Sequence, residues 1–576
     1  MRFRGIAIVF TLLPLLLGPA VSSEISRPNI LFIAFDDLND WIGCMGGHPQ
    51  SVTPNLDRLA ANSVLFTNAH CPAPACNPSR TAIFTGIAPN QSGMYDNAQK
   101  MREILPDEVI IPEHFRKHGY RSIGSGKMLH YFIDAPSWDE YFPEAESENP
   151  FPRTLYPDKR PLSLPRAGPW QYVKTDWGPL EATDEDFGGD WLVTDWVGKQ
   201  LLQEIDEPLF LACGIYRPHE PWFVPRKYFE PFPLEDIQIP PGYKEDDLGD
   251  LPPEGKKRGP NRYFAHIQKE GQWKNGIQGY LASIHFADAM LGRVLDALEK
   301  GPNRDNTIII LWSDHGWQLG EKQHWQKFSA WRQVTRVPLM IKVPPSVAPG
   351  LPDGTKAGDV CVRPVNLLSL LPTLTDLAGI PEKEKAEAPS LVSLLKNSEA
   401  EWNHVAVTYL SDRGSFAISD EEWRYIRYSN GEEELYFIPE DPYEWTNLAN
   451  DSKQKDRLEY FREISPKNFA PKREATVDSL GSITWNPLNG DNVPPSRPDG
   501  ATFKVPFLNN RNQTVELFWI DQQGKPKSYG EITGGKSREQ QTRPGAVWQV
   551  SDAATGTPLG FFRIGDRRAK AVVPAE

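Results

Sequence analysis

Two nearly continuous apolar runs stand out along the chain. The first extends from Pro28 to Phe35 and the second from Thr307 to Trp312. Runs of this kind predict strands that are buried on both faces of a mostly parallel sheet. Polar residues follow each run: Asp36 and Asp37 after the first, Asp314-His315 after the second. Open α/β sheets bind their ligands at this end of the strands, so the sequence predicts a functional site there.

Between these runs, the apolar positions from Ile277 to Leu298 follow helical spacing and predict a long helix with one face toward the core. Gly301-Pro302 would end it. Stretches rich in proline and aromatic residues at 136–180 and 222–262 predict long surface loops. Loops of such length often form the walls of a binding cleft.

The pattern changes again beyond about residue 470. Helical spacing vanishes, Pro, Gly, Asn and Gln become more frequent, and alternating runs such as Thr514–Ile520 appear. Alternation of this kind predicts a small all-β module. We therefore expect a linker at 471–500 and a β-sandwich at 501–570.

Composition limits the possible classes of function. A chain of 576 residues, 39% of them hydrophobic, is expected to hold two or three domains. Its net charge of -14 argues against nucleic acid as a partner, because a phosphate backbone would be repelled. Small or polymeric anions stay possible, since a local cluster of cations can invert the field inside one cleft.

The first 23 residues have the pattern of a secretory signal. Arg2 and Arg4 precede the apolar stretch Ile6–Leu17, and small residues follow it. An uncleaved membrane anchor is the alternative, but the stretch is short for a bilayer span, which needs about 18 apolar residues or more. We expect a secreted or periplasmic protein without stable membrane insertion.

Cysteine usage does not indicate a disulfide framework or a zinc site. Five cysteines are scattered along the chain without a C-x-x-C pair: Cys44, Cys71, Cys76, Cys213 and Cys361. The sequence leaves open whether the four other than Cys76 form disulfides.

One cysteine lies in a motif. Cys76-Asn77-Pro78-Ser79-Arg80, followed by Thr85-Gly86, resembles the C-x-P-S-R signal of type I sulfatases, which belong to the alkaline phosphatase superfamily. Asp314-His315-Gly316 resembles the subgroup that includes iduronate-2-sulfatase. Similar elements at 365–381 and 434–448 extend the resemblance to about residues 27–465.

The resemblance implies a fold and a reaction. The fold is α/β, with a mostly parallel central sheet between helices at 27–370 and a small C-terminal antiparallel sheet at 371–470. The reaction is hydrolysis of a sulfate ester. In the family the cysteine, here Cys76, is oxidised to formylglycine by a formylglycine-generating or equivalent maturation enzyme, and the aldehyde hydrate is the nucleophile.

The family's site residues can be carried over to matching positions. The resemblance implies a calcium ion bound by Asp36, Asp37, Cys76, Asp314 and His315. Carboxylate-rich ligand sets suit a hard cation of this kind.

The resemblance also implies the roles of the catalytic residues. Arg80 would pair with the hydrate and the metal region, and Lys127 of Gly126-Lys127-x-x-His130 would hold a sulfate oxygen. His130 would take a proton from the hydrate, while His219 or Lys327 would assist departure of the alcohol. Lys322 is a competing candidate for the position given to Lys327.

The C-terminal module has a resemblance of its own. The run Val515–Asp521, with Gly524, Tyr529 and Pro544–Trp548, is similar to the β-domain of the von Hippel-Lindau protein. In that family a tyrosine and a tryptophan, here Tyr529 and Trp548, line a hydroxyproline pocket. Ala546 replaces a pocket histidine, so an accessory or packing role is an equal alternative.

The favoured function is therefore hydrolysis of sulfate esters by an exported enzyme, with sulfated carbohydrate as first choice of substrate and choline sulfate or an aryl sulfate next. Trp138, Trp222, His324 and Arg413 are candidate sugar contacts. A phosphate or phosphonate monoester hydrolase would share the fold and much of the site. A non-catalytic glycan- or protein-binding module is the third possibility.

Overall fold

The computed structural model describes residues 27–143, 149–158, 161, 163–165, 175–473, 477, 480–488, 493–498, 503–565 and 569–575. The predicted signal at 1–23 lies outside these ranges. Contacts divide the chain into two compact units. One comprises Met1–Gln91 and Val109–Phe469, and the other comprises Ser92–Glu108 and Ala470–Glu576.

An eight-stranded sheet forms the centre of the first unit. Both apolar runs of the sequence are neighbouring parallel strands in it, with Phe35 paired to Ser313 at their carboxyl ends. One strand, Leu339–Lys342, runs antiparallel to both its neighbours. The other neighbouring strands of this sheet pair in parallel, so the prediction of a mostly parallel sheet is confirmed. The order across the sheet is Asp359–Cys361, Val64–Phe66, Leu339–Lys342, Thr307–Ser313, Asn29–Asp36, Leu209–Pro218, Arg121–Gly126, Glu140–Phe142.

Alternate residues of the central strand, Asn29–Asp36, face opposite layers because strand side chains alternate. Leu31, Ile33 and Phe35 belong to the large core formed with the long helix Trp273–Lys300. Phe32 faces the other layer. There it lies 5.4 Å from Trp312 and 6.1 Å from Phe84 of the helix Cys76–Thr85, measured between ring centroids. The sheet is thus covered by helices on both sides.

The long helix is the one predicted at 277–298, extended at both ends. No described helix has both the length and the apolar character needed to cross a bilayer. The described α-helices are Pro54–Ala60, Cys76–Thr85, Pro89–Ser92, Met101–Ile104, Ile111–Lys117, Asp184–Phe187, Asp190–Leu201, Pro253–Lys256, Arg262–Lys269, Trp273–Lys300, Arg332–Thr335, Leu370–Ala378, Val392–Lys396 and Lys455–Ile464.

A four-stranded antiparallel sheet follows the central one, as predicted for 371–470. Phe461 of the helix Lys455–Ile464 stacks on Tyr425 of this sheet, with ring centroids 5.3 Å apart. The strands are Ala406–Tyr409, Phe416–Ser419, Trp423–Arg427 and Glu433–Phe437. Two-stranded pairs complete the unit: Ala69–His70 with Val365–Asn366, Gln318–Leu319 with Trp325–Gln326, and Trp177–Leu180 with Trp222–Pro225.

The predicted surface loops at 136–180 and 222–262 are partly wrong. Trp222 is fully buried and stacks on Trp177, with ring centroids 5.9 Å apart. Trp138 is also buried, against Tyr141. The gain from burying such large aromatic rings places these stretches in the core, so neither tryptophan offers an exposed face to a sugar.

The second unit contains a five-stranded antiparallel sheet and a four-stranded mixed sheet that enclose a core between them. Phe507 of one sheet lies 5.6 Å from Trp548 and 5.8 Å from Phe562 of the other, which is the packing of a β-sandwich. The strands are Ser482–Ile483, Lys570–Val573, Phe503–Asn509 and Ser537–Thr542 in one sheet, and Trp485–Pro487, Pro558–Arg563, Val547–Asp552, Val515–Ile520 and Pro526–Ile532 in the other.

Two features of this unit differ from the sequence prediction. Residues 482–487, inside the predicted linker at 471–500, pair with strands of the sandwich. The segment Ser92–Glu108 belongs to this unit although it lies within the predicted catalytic domain. Gln99 holds it there by donating to the Arg473 carbonyl at 2.7 Å.

Candidate active site

Cys76 begins a helix in which every residue is buried. Gly86 ends the helix in the left-handed conformation (φ 74°), which a glycine adopts without strain. Ser79 of the motif donates to the Asp314 carbonyl at 2.6 Å and so fixes the helix to the end of a central strand. The Cys76 sulfur consequently lies 2.9 Å from Lys327 Nζ and 3.3 Å from His315 Nε2.

The two neighbouring strand ends bring four of the five predicted metal ligands together, and the fifth, Asp314, adjoins them. Donor atoms of Asp36, Asp37, Cys76 and His315 all lie within 4.8 Å of one another, and all four residues are buried. Asp37 has a φ of 65°, a left-handed conformation that is uncommon for a residue with a side chain. Asp314 accepts from the backbone N–H of Asp37 at 3.2 Å and of His315 at 3.0 Å.

The carboxylates have the character of cation ligands. Asp36 Oδ1 and Asp37 Oδ2 are buried without a hydrogen-bond partner among the described residues. Burying such oxygens costs free energy unless something binds them. His315 directs Nε2 into the cluster because Nδ1 faces the Gly316 carbonyl at 3.0 Å and must carry the proton. The donor set therefore fits a divalent cation.

Arg80 and Lys127 surround the cluster with positive charge. Arg80 donates to Asp314 Oδ2 at 2.8 Å and to the Lys127 carbonyl at 2.6 Å. Lys127 Nζ pairs with Asp36. The Lys127 backbone passes so close to Gly214 that a Cβ there would lie 2.4 Å from it, so only glycine fits.

Of the two candidate lysines, the structure brings Lys327 to the cluster. Lys327 Nζ lies 2.8 Å from Asp37 Oδ1 in addition to its contact with Cys76. Lys322 instead pairs with Asp247 at 3.0 Å. His324 donates from Nε2 to the carbonyl of Lys327 at 3.0 Å and is a loop histidine that supports this segment.

His219 approaches the cluster from the loop after strand Leu209–Pro218. Its Nδ1 lies 2.6 Å from the Glu220 carbonyl, so Nδ1 carries the proton, and its Nε2 lies 3.7 Å from Asp37 Oδ2. Tyr216 stacks on the imidazole with centroids 4.7 Å apart and contacts Nδ1 through its hydroxyl at 2.8 Å.

Sequence reasoning missed both Tyr216 and Asp190. Asp190 accepts from the backbone N–H of Tyr216 at 2.7 Å and of Arg217 at 2.9 Å, and thereby fixes the start of the histidine loop. Neither residue lies in a recognisable motif. His130, in the turn after Lys127, packs its ring against Tyr131 with centroids 4.3 Å apart.

Burial and neighbouring charges shift the pKa values of the carboxyl and imidazole groups of the site in different directions. Burial would raise the pKa of Asp36 and of Asp314, but the cations around them outweigh burial and hold both pKa values below the usual range. Burial raises the pKa of Asp37 despite Lys327 beside it. Burial would lower the pKa of His315, but Asp314 raises it to about 9.

With His315 set aside as a metal ligand, three carboxylates and three cationic side chains balance within the site: Asp36, Asp37 and Asp314 against Arg80, Lys127 and Lys327. A divalent cation would add net positive charge to a dry, prearranged cluster. Such a site stabilises negative charge that develops on a bound anion.

Tyr529 and Trp548, which were predicted to line a pocket of the β-domain, differ from each other in exposure. Tyr529 is exposed and its ring lies 4.9 Å from that of Trp548. Trp548 is only 2% exposed, and its indole N–H donates to Thr542 Oγ1 at 2.8 Å. The tryptophan is therefore a core residue of the sandwich, with its polar group already satisfied.

Comparisons with known proteins agree with the motifs. The family model described as Sulfatase matches residues 28–380. The model for N-sulphoglucosamine sulphohydrolase, C-terminal, matches residues 320–464, and that for the VHL beta domain matches residues 496–562.

Individual relatives cover most of the chain. A sulfatase of Formosa agariphila is 40% identical over 477 residues, or 81% of this chain and 91% of that one. Iduronate 2-sulfatase of Mus musculus is 31% identical over 421 residues, or 67% of this chain and 75% of that one. The crystal structure of phosphonate monoester hydrolase of Agrobacterium radiobacter covers 76% of this chain and 95% of its own, with a TM-score of 0.58 at 22% identity.

Proposed function

The chain belongs to the sulfatase family, which hydrolyses sulfate esters, and we propose that it desulfates carbohydrate with Cys76 matured to formylglycine and with a bound calcium ion. The observation that carries this proposal is the placement of Cys76. Its side chain begins a buried helix and points into a cluster of carboxylates and cations, where a nucleophile would meet a bound anion. An ordinary structural thiol needs no such surroundings.

Calcium fits the donor set, and the ligands we propose are Asp36, Asp37, Asp314, His315 and the matured side chain at position 76. Conversion of the thiol to an aldehyde hydrate would exchange a soft sulfur donor for oxygen, which calcium prefers. A calcium ion held by these residues would supply positive charge for the sulfuryl oxygens and would make a hydroxyl of the nucleophile more acidic.

The remaining residues orient the ester and move protons. Lys327 presents its ammonium group to Cys76, and Lys127 presents its own to Asp36 in the same cluster, where both would bind sulfuryl oxygens. His219 holds its proton on Nδ1 against a carbonyl, so Nε2 is the nitrogen that exchanges a proton with the leaving oxygen. We retain His130 as the base that deprotonates the hydrate.

Sulfated carbohydrate is the substrate class we propose, because a relative of 31% identity is an iduronate 2-sulfatase. A phosphate or phosphonate monoester hydrolase is the second candidate. Its support is the similarity to a phosphonate monoester hydrolase, which at 22% identity shows the fold alone. Turnover of matched aryl sulfate, phosphate and phosphonate esters separates the two functions.

The test uses the matured enzyme after chelation and dialysis. We expect aryl sulfate turnover to be lost on chelation and restored by calcium, and to exceed phosphate and phosphonate turnover. Sulfated disaccharides of defined linkage would then identify the substrate. Preferred cleavage of the phosphonate would overturn the sulfatase assignment, and full activity in metal-free protein would overturn the metal site.

We also propose export and maturation by a formylglycine-generating or equivalent enzyme. The support is the signal pattern at 1–23 and the C-x-P-S-R motif. Sequencing the amino terminus of the exported protein would test the first point. For the C-terminal module we propose a packing or accessory role, since Ala546 stands in place of the pocket histidine and Trp548 is buried.

A further inference from the structure

A cavity of about 270 Å³ lies in the first unit and is separate in its lining from the residues of the catalytic cluster. Its wall includes Asp40, Arg332, Arg336 and Glu444, and Tyr443 at its edge is 38% exposed. A water molecule occupies about 30 Å³ of liquid, so the space exceeds that of a single small ion with its first waters. The wall is strongly charged, which a cavity without a polar ligand does not need.

The carboxylates of this wall are already occupied. Asp40 accepts from Arg336 Nη1 at 2.6 Å through Oδ2 and from Gln333 Nε2 at 2.8 Å through Oδ1. Glu444 accepts from Arg424 Nε at 2.8 Å and from the backbone N–H of Arg332 at 2.7 Å. Both carboxylates thus have each oxygen bound to another donor.

The guanidinium of Arg332 has no carboxylate partner in this wall. Its side chain makes no hydrogen bond or ion pair with any described residue, although it is partly buried in the cavity wall. Burial and the neighbouring Arg336 lower its pKa to about 9, which still leaves it charged at neutral pH. The other charged residues of the wall are already engaged: Glu321 accepts from the backbone N–H of Leu319 at 2.8 Å, and Lys322 pairs with Asp247 at 3.0 Å.

An unpaired guanidinium in such a place is costly unless a ligand completes it. Its five donors form a planar fork that matches the oxygens of sulfate or carboxylate. The ammonium group of a lysine is a point charge and would suit a wider range of ligands. The planar guanidinium of an arginine favours an oxyanion that presents two oxygens side by side. The size of the cavity allows this oxyanion to be attached to a sugar ring.

We propose that this cavity is a second anion site, in which Arg332 binds an oxyanion group. The group is either free inorganic sulfate or a sulfate or carboxylate substituent of a carbohydrate. Three segments that carry catalytic-cluster residues continue into its wall: Asp40 follows Asp37, Gln318 follows His315, and Arg332 follows Lys327. Ligand binding here does not require turnover, so the site can be tested even if the proposed function fails.

Selenate, a sulfate analogue with strong anomalous scattering, is the probe. Crystals of the full-length protein and of Arg332→Gln are soaked in selenate, with Arg304→Gln as the control that removes one positive charge from the exposed surface. We expect an anomalous peak beside Arg332 in the wild type and the control, and none in Arg332→Gln. Arg332→Lys, which keeps the positive charge, should show a weaker peak at the same place. That result would show that the loss of the peak in Arg332→Gln is not due to misfolding.

Calorimetric titration with sulfate gives the matching solution result. The Arg332→Gln protein should bind at this site at least about tenfold more weakly, as expected for a charge-assisted hydrogen bond. A wild-type cavity without selenate, or an equal peak in Arg332→Gln, would overturn the proposal.

Kinetics then identify the source of the oxyanion. If it is a carbohydrate substituent, Arg332→Gln should raise KM for a sulfated, uronate-containing saccharide about tenfold and leave KM for an aryl sulfate unchanged. If it is free sulfate, both KM values should stay unchanged while the selenate peak still depends on Arg332.

Discussion

Replacement of Arg80 by lysine tests whether this buried guanidinium acts in catalysis or only supports the fold. Arg80 is fully buried and donates to four acceptors: Asp314 Oδ2 at 2.8 Å and the carbonyls of Lys127 at 2.6 Å, Met128 at 3.2 Å and Phe35 at 3.2 Å. Lysine keeps the charge but cannot reach acceptors on several sides at once.

The magnitude follows from the acceptors that lose their donor. A lysine that retains the bond to Asp314 leaves the buried carbonyls of Lys127 and Met128 unsatisfied, at about 1–3 kcal/mol each, whereas the Phe35 carbonyl still accepts from the Asp314 backbone N–H. We expect the free energy of unfolding to fall by about 2–6 kcal/mol. We further expect kcat to fall about 100-fold or more, because the fork also sets the field around Cys76.

Arg424→Lys is the matched control. Arg424 is equally buried and bound to a carboxylate, at 2.8 Å from Glu444, but it lies in the C-terminal antiparallel sheet. Denaturant titrations give the stability of both variants, and aryl sulfate turnover is measured where both are folded. Arg80→Lys should lose stability and kcat, and Arg424→Lys stability alone. Near-normal kcat in folded Arg80→Lys, or an equal loss of kcat in the control, would refute the reasoning.

Three further predictions concern other parts of the molecule. Lys327→Ala should lower kcat on aryl sulfate about 100-fold, because it removes the ammonium group that contacts Cys76. Lys322→Ala breaks a buried ion pair away from Cys76, so it should lower the melting temperature and leave kcat unchanged. The reverse pattern would show that the roles of the two lysines were misassigned. Burial raises the pKa of Glu321 from 4.5 to about 7, so the folded state binds this proton more tightly than the unfolded chain. The stability that the protonated carboxyl contributes is fully present below pH 4.5 and is lost as the pH rises through 7. Glu321→Gln should therefore stabilise the protein at pH 8 by up to about 3 kcal/mol and not at pH 4, measured by denaturant titration; an equal effect at both pH values would contradict this. A chain ending at Leu480, which keeps the Arg473 carbonyl beside Gln99, should fold and turn over aryl sulfate normally, and an insoluble product would place the module in the packing of the catalytic part.

Much of the fold could be predicted from the sequence because buried parallel strands have a simple pattern. The runs that end at Asp36 and Asp314 are uninterrupted because both faces of these strands are covered. Parallel neighbours end at the same edge, so the polar residues after them were expected to meet, and they do. Together with the motif at Cys76, this pattern located the site.

Other features depend on tertiary packing that no local pattern records. Tyr216 and Asp190 support the histidine loop through contacts between distant segments, and neither has a motif. Trp222 lies in a proline-rich stretch that reads as a loop, but burial of its ring against Trp177 decides its place. Trp548 matches a pocket position, yet in this sandwich its indole is part of the core.

The central claim is that Cys76 becomes the nucleophile of a sulfatase. Mass spectrometry of the peptide that contains Cys76, combined with sulfate release by the same preparations, tests it most directly. We predict that activity rises in proportion to the fraction of chains carrying the aldehyde, and that Cys76→Ala, folded by circular dichroism, releases no sulfate. Full activity in a preparation whose Cys76 is an unmodified thiol, or in Cys76→Ala, would contradict the claim.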